Sequence, residues 1–217
     1  MARRKPSARG IADARSDTPT IIEFLLDETG SMSSCAHAVV SGFNDFVSEQ
    51  RAAGGKCLLT LTKFDTTGIK TPYVDLSVQM VPTMTASMYQ PGASTNLYDA
   101  IGERLTALNN RLVDWVDQPN VLFVVMTDGG DNASALPDTA VRSNIMHMAK
   151  EYGWSFVYLG SHTHALTVAD KLGFPPGNSK QFKAVETRET MQELAKATKA
   201  YRQKSGFHTS DDFFAGK

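Results

Sequence analysis

The chain of 217 residues is 41% hydrophobic and 21% charged, with a formal net charge of -1, which suits one α/β domain with a sizeable core. That balance argues against a generally basic nucleic-acid binder, and no stretch approaches the ~18 apolar residues of a membrane helix. Cys35 and Cys57 form no CxxC pair, so they read as idle thiols of a reducing, cytoplasmic compartment, with a single disulfide left open.

Residues 1–17 open with a run, 1–15, that carries Arg3, Arg4, Lys5, Arg9 and Arg15 against one acid, Asp13. They read as a flexible basic arm, the alternative being an arm that touches nucleic acid or an acidic partner. No apolar stretch follows, so a secretory signal is not expected. Residues 20–27, TIIEFLLD, read as a buried strand. Residues 34–55 read as a helix, with Val39, Val40, Phe43, Phe46 and Val47 at 3.6-residue spacing and Gly54-Gly55 as the stop. Residues 56–65 form a Leu- and Thr-rich strand. Residues 71–81 alternate as an edge strand should, with Pro72 at the start.

Residues 93–116 open as a loop and become an amphipathic helix over 97–116. Residues 120–128, NVLFVVMTD, are the most apolar strand and are expected at the sheet centre. A helix over 137–153, from Pro137 to Gly153, leads to a strand at 154–160. A helix at 164–174, a short strand at 179–185 and a last helix at 187–206 complete the order. Residues 207–217 read as a frayed tail. This alternation predicts a doubly wound, mostly parallel sheet with one antiparallel edge strand and helices on both faces, in one domain spanning 18–206.

In such a sheet, ligands bind beyond the carboxyl ends of the strands where strand order reverses. Three segments bring oxygen there: Asp27, Thr29 and Ser31 after the first strand; Ser94, Thr95 and Asn96 ahead of the middle helix; Asp128 and Asp131 after the apolar strand. Carboxylates plus hydroxyls suit a hard cation, Mg²⁺ first, which keeps coordination positions open. Capping of the following helices by Asp27, Ser31, Thr95 or Asn96 is the plain alternative. Walker, dinucleotide, nucleophile-elbow and HExxH patterns are absent.

These residues carry a resemblance. LLDETGSM resembles the DxSxS motif of the von Willebrand factor A domain, Thr95 in GASTNLYDAI matches the threonine of its second motif, and VVMTDGG matches its third. The resemblance implies that family's Rossmann-like fold and a metal-ion-dependent adhesion site. Asp27 and Asp128 would be carboxylate ligands, and Thr29, Ser31 and Thr95 hydroxyl ligands; threonine at 29 stands where the family has serine. The ion implied is Mg²⁺, with Mn²⁺ or Ca²⁺ as alternatives. A narrower likeness is to small stand-alone A-domain proteins of bacteria and phages.

Four features fall outside that match. His162 and His164 read as solvated loop histidines, against a transition-metal pair or a pH-sensitive rim. Glu28 and Asp131 read as loop acids, and Asp211-Asp212-Phe213-Phe214 as part of the tail. The expectation is a non-enzymatic module that binds a protein partner through the partner's Asp or Glu, with no membrane and no nucleic acid unless through the arm; oligomeric state stays open. The rivals are a metal-dependent hydrolase with Glu28, Asp131 or His162 as base, and an assembly protein with a degenerate site.

Overall fold

The structure, a computed structural model, describes residues 18–116, 118–204 and 207–215; the basic arm expected over 1–17 lies outside them. Six strands form one sheet: β1 (Thr20–Asp27), β2 (Cys57–Asp65), β3 (Gly68–Ser77), β4 (Asn120–Thr127), β5 (Ser155–Gly160) and β6 (Ser179–Gln181). Their order is β3-β2-β1-β4-β5-β6. All neighbours run parallel except β3 against β2. The helices are α1 (Ala36–Ala52), α2 (Leu97–Leu112), α3 (Asp138–Tyr152), α4 (Ala165–Leu172) and α5 (Thr187–Gln203). The expected α/β architecture is the one observed.

Strand β1 explains the two-layer core. Every residue of it is buried, because both of its edges are paired and both of its faces are covered. Ile22, Phe24 and Leu26 join Val39, Phe43 and Phe46 of α1 and Met191 and Leu194 of α5. Ile21 and Leu25 point the other way, into Leu97, Ile101, Leu105 and Leu108 of α2 and Val141 and Ile145 of α3. The period-2 alternation of a strand thus feeds two separate apolar layers. Helices α1 and α5 come close because residue 42 is glycine: a Cβ there would lie 2.8 Å from the Cβ of Met191.

Glu23 breaks the apolar run of β1 and was passed over in the sequence reading. It lies on the α2 side, fully buried. Arg104 Nε donates to Oε1 at 2.8 Å and Arg111 Nη2 to Oε2 at 2.7 Å. Arg111 Nε also donates to Asp75 at 3.0 Å. Burial pushes the Glu23 carboxyl up, and the two guanidiniums pull against it. Such a network ties α2 to β1 and to the edge strand.

Several boundaries differ from expectation for local reasons. The first helix begins as a 3-10 turn over Gly30–Cys35 before α1. Its end is as expected, with Gly54 and Gly55 at φ of 68° and 69°, a region in which glycine carries no steric penalty. The edge strand starts at Gly68, not residue 71, because Asp65 closes a tight turn by accepting from the backbone N–H of Thr67 and Gly68. Pro72 is therefore inside β3, where the pairing with β2 slips between Leu61 and Lys63. An edge strand with a register slip is where a residue lacking an N–H is tolerated. Strand β6 is three residues, not seven, and the middle helix ends at Leu112.

The tail is the main correction. Phe213 is 3% exposed and packs 5.9 Å from the ring of Tyr201. Asn178 Nδ2 donates to the Ser210 carbonyl, and the Phe213 N–H donates to Asn178 Oδ1 at 2.8 Å. An apolar side chain with a core slot and a backbone with partners does not fray. Cys35 and Cys57 are both buried and free. No helix among the described residues is long and apolar enough to cross a membrane.

Candidate metal centre

Strands β1 and β4 lie side by side in register, Leu26 opposite Met126. The polar residues that follow them therefore emerge together. Thr127, the last residue of β4, donates its hydroxyl to Asp27 Oδ2 at 2.5 Å. The Thr29 N–H donates to Asp27 Oδ1 at 2.8 Å. Two residues on, Ser31 Oγ donates to Asp128 Oδ1 at 2.6 Å and lies 3.3 Å from Thr29 Oγ1. Asp27, Thr29, Ser31 and Asp128 are thus one connected cluster.

Thr95 reaches the same place from a third segment. Its N–H donates to Asn132 Oδ1 at 3.0 Å, and the Asn132 N–H donates back to the Thr95 carbonyl at 3.1 Å. Its hydroxyl faces the turn after β4, 3.5 Å from where a Cβ on Gly129 would stand. All five residues singled out from the sequence converge beyond the ends of β1 and β4.

The capping alternative is not what these side chains do. The α2 N-cap residue Asn96 makes no side-chain cap, and neither does Thr29 ahead of the 3-10 turn. Instead Asp131 Oδ1 accepts from the Tyr98 N–H and Ser134 Oγ from the Asp99 N–H. Asp99 returns the favour, accepting from the Ala135 and Leu136 N–H groups. The loop after β4 caps α2, so the hydroxyls of Thr95 and Ser31 are not used as helix caps. Asp131 becomes a capping residue rather than a rim acid.

Electrostatics make the cluster a place for a cation. Burial pushes the Asp27 carboxyl up to about 6, against the lowering effect of hydrogen bonds from Thr127 and Thr29, and Asp128 adds repulsion. Burial also raises Asp128, while the Ser31 hydrogen bond and His162 oppose it. Among the described residues no Lys or Arg pairs with either acid. A buried acid and a half-buried one of like charge, flanked by neutral hydroxyls, gain from a positive ion. No group of three or more His, Cys, Asp or Glu suited to a metal exists among the described residues. The donor set is therefore two carboxylates with hydroxyls, which fits a hard divalent ion and not a thiolate or imidazole centre.

The remaining sequence candidates take other places. Glu28 turns away from the cluster and pairs with Lys63 at 2.7 Å. His162 is half-buried with its Nε2 unpartnered, and burial and His164 lower its proton affinity; among the described residues no third His, Cys, Asp or Glu joins the two histidines in a metal-holding group. Thr127, Tyr89 and Asn132 were missed. Tyr89 is buried and its hydroxyl donates to the Asp27 carbonyl at 2.5 Å. A hydroxyl closing an otherwise apolar strand was the signal available for Thr127.

Comparison of the sequence with protein-family models and with curated proteins finds no match. Solved structures do match. The chain is similar to proximal thread matrix protein 1 from the mussel byssus, in a structure with a zinc-occupied MIDAS motif (TM-score 0.59, 14% identity, 84% of this chain and 48% of that one). It is similar to a von Willebrand factor type A protein from Catenulispora acidiphila (0.57, 11%, 84% and 43%). It is also similar to the pilus adhesin SpaC from Lactobacillus rhamnosus GG in an open conformation (0.62, 15%, 85% and 30%). The chain spans less than half the length of each. At these identities the likeness is one of fold: the chain has the von Willebrand factor A fold.

Proposed function

We propose that this protein is a divalent-metal-dependent protein-binding module. Asp27, Thr29, Ser31, Thr95 and Asp128 hold one hard cation, Mg²⁺ in the first place, directly or through water. A partner protein completes its coordination with an Asp or Glu carboxylate. The observation that carries this reading is the Ser31–Asp128 hydrogen bond, which joins two loops at the strand-order reversal while, among the described residues, neither acid pairs with a Lys or Arg. The mussel-byssus neighbour, with its zinc-occupied MIDAS motif, and the pilus adhesin support the same class of activity. Mn²⁺, Ca²⁺ and Zn²⁺ are the competing ions.

Neutral hydroxyl ligands leave the ion with much of its charge, so it attracts an external carboxylate. In the chain itself, Thr127 and the Thr29 N–H orient Asp27, Ser31 orients Asp128, and Asn132 holds Thr95. Two of the three candidate bases for hydrolysis are otherwise engaged, Glu28 by Lys63 and Asp131 as the cap of α2, which leaves His162 as the one base for that reading. The test is capture of a partner by the immobilised chain. EDTA should release the partner, Asp27→Ala should fail to capture it with an unchanged circular dichroism spectrum, and capture should return with Mg²⁺. Capture indifferent to EDTA and to Asp27→Ala would overturn the reading.

A further inference from the structure

Glu28 stands between two candidate ligands, yet its side chain goes elsewhere. Asp27 reaches Thr127, and the Thr29 hydroxyl reaches Ser31. Glu28, one position out of phase, is buried against the segment that leads to Thr95. Its Oε1 accepts from Lys63 Nζ at 2.7 Å and from the Gln90 N–H at 2.9 Å. Lys63 Nζ also donates to the Met88 carbonyl at 2.5 Å. The Glu28 carbonyl accepts from the Gly92 N–H at 2.8 Å.

The segment so held has little structure of its own. Between β3 and α2 it contains one 3-10 turn, Ala86–Met88. Its position comes from bonds to its neighbours: those of Met88, Gln90 and Gly92 just given, the Tyr89 hydroxyl on the Asp27 carbonyl, the Gly30 N–H on the Ala93 carbonyl at 3.1 Å, the paired bonds of Thr66 with Ser94, and, earlier in the segment, Asn44 on Met84 and Arg51 on the Val78 and Val81 carbonyls. Ala93 has φ of 56°, a left-handed conformation that a residue with a Cβ keeps only when its surroundings over-determine it. Thr95 follows two residues later. Its charged anchors among the described residues are Arg51, on residues 78 and 81, and, nearer Thr95, the Glu28–Lys63 pair, with side chains 6% and 13% exposed.

We propose that Glu28 and Lys63 are positioning residues for the metal centre: their ion pair, gripping the backbone of Met88 and Gln90, helps to set the Thr95 hydroxyl against Asp27 and Asp128. This rests on the reading of those three residues as ligands. The small Mg²⁺ ion demands near-octahedral oxygens at about 2.0–2.1 Å, whereas Ca²⁺ accepts longer and looser spheres. A loosened Thr95 segment therefore weakens Mg²⁺ more than Ca²⁺. A pair that contributed to folding alone would leave that ratio unmoved.

The experiment is calorimetric titration of the full chain with MgCl₂ and with CaCl₂, for wild type, Glu28→Gln, Lys63→Met and Lys63→Arg. Lys63→Met is expected to weaken Mg²⁺ binding about 10-fold or more, the scale of lost support around metal ligands, with a smaller loss for Ca²⁺. Glu28→Gln keeps an acceptor for Gln90 but not the charge, and should show the same direction with a smaller effect. Lys63→Arg should recover part of the binding that Lys63→Met loses, since it keeps the charge but replaces a compact ammonium with a planar fork. Variants that melt earlier but bind both ions as wild type does would overturn the inference. Should Lys63→Met not fold, Glu28→Gln decides alone. If wild type binds neither ion, the ligand reading itself fails, a separate result.

Discussion

Ser31 Oγ and Asp128 Oδ1 are hydrogen-bonded at 2.6 Å although 97 positions separate them in the chain. The contact exists because β1 and β4 are adjacent and in register, so the first polar turns beyond them overlap. Asp128→Ala removes one of two carboxylates from the cluster and should abolish any Mg²⁺-induced rise in melting temperature. For wild type, an ion at 100 times its Kd stabilises a one-site protein by about 2.7 kcal/mol. A thermal shift in Asp128→Ala equal to that of wild type would exclude Asp128 as a ligand. Thr29→Ser should keep the shift and Thr29→Val reduce it, because the hydroxyl and not the methyl does the work.

Glu23 should dominate the stability of the α2 face. Glu23→Ala leaves the buried Arg104 without its acid, while the part-buried Arg111 keeps Asp75. Removing one partner of a buried pair costs about 3–5 kcal/mol. Urea unfolding measures it; a loss under about 1 kcal/mol would show that water already reaches the network.

Residues 207–215 should contribute to folding rather than fray. Phe213→Ala is expected to cost about 3 kcal/mol, in the range for a buried phenylalanine, because the ring sits beside Tyr201 and Phe214. A chain ending at residue 206 should melt earlier still, since it also strips the partners of Asn178. An unchanged melting temperature for that truncation would mean that the segment adds nothing.

Cys57 should make stability fall at alkaline pH. Burial pushes its thiol from 9.0 up to about 11. The unfolded thiol ionises first, so the contribution is intact below pH 9 and is lost as pH rises through about 11. Two units correspond to about 3 kcal/mol. Unfolding free energies of wild type and Cys57→Ala, compared from pH 8 to 11, should converge by that amount. Parallel curves would place the thiol in contact with water. The native protein should likewise react slowly with thiol reagents, because both cysteines are buried.

The sequence reading of the candidate site named residues that the fold brings together, but not their supports. Asp27, Ser31, Thr95 and Asp128 stood out because each follows or precedes an apolar element abruptly. Thr127, Tyr89 and Asn132 did not, since nothing local marks a strand-end threonine, a loop tyrosine or a loop asparagine as facing a particular neighbour. Asp131 was legible as an acid but not as the cap of a helix that begins 34 positions earlier in chain order; the bond it accepts, from Tyr98, spans 33. Pro72 marked the edge strand correctly, while the turn at Asp65 and the register slips moved that strand's start.

Element order, the parallel sheet and the oxygen-rich strand ends were settled by the chain alone, because periodicity and turn chemistry act over a few residues and leave their mark in the string. Pairings were settled by tertiary structure: Glu28 with Lys63 across 35 positions, Glu23 with Arg104 across 81, Phe213 with its slot beside Tyr201. Each depends on how a helix is rotated or how two strands are registered. One residue of helix rotation is about 100°, and one residue of slip turns a strand's side chains to the opposite face. Those choices are made by the packing of the two apolar layers as wholes, and no short stretch of sequence contains them.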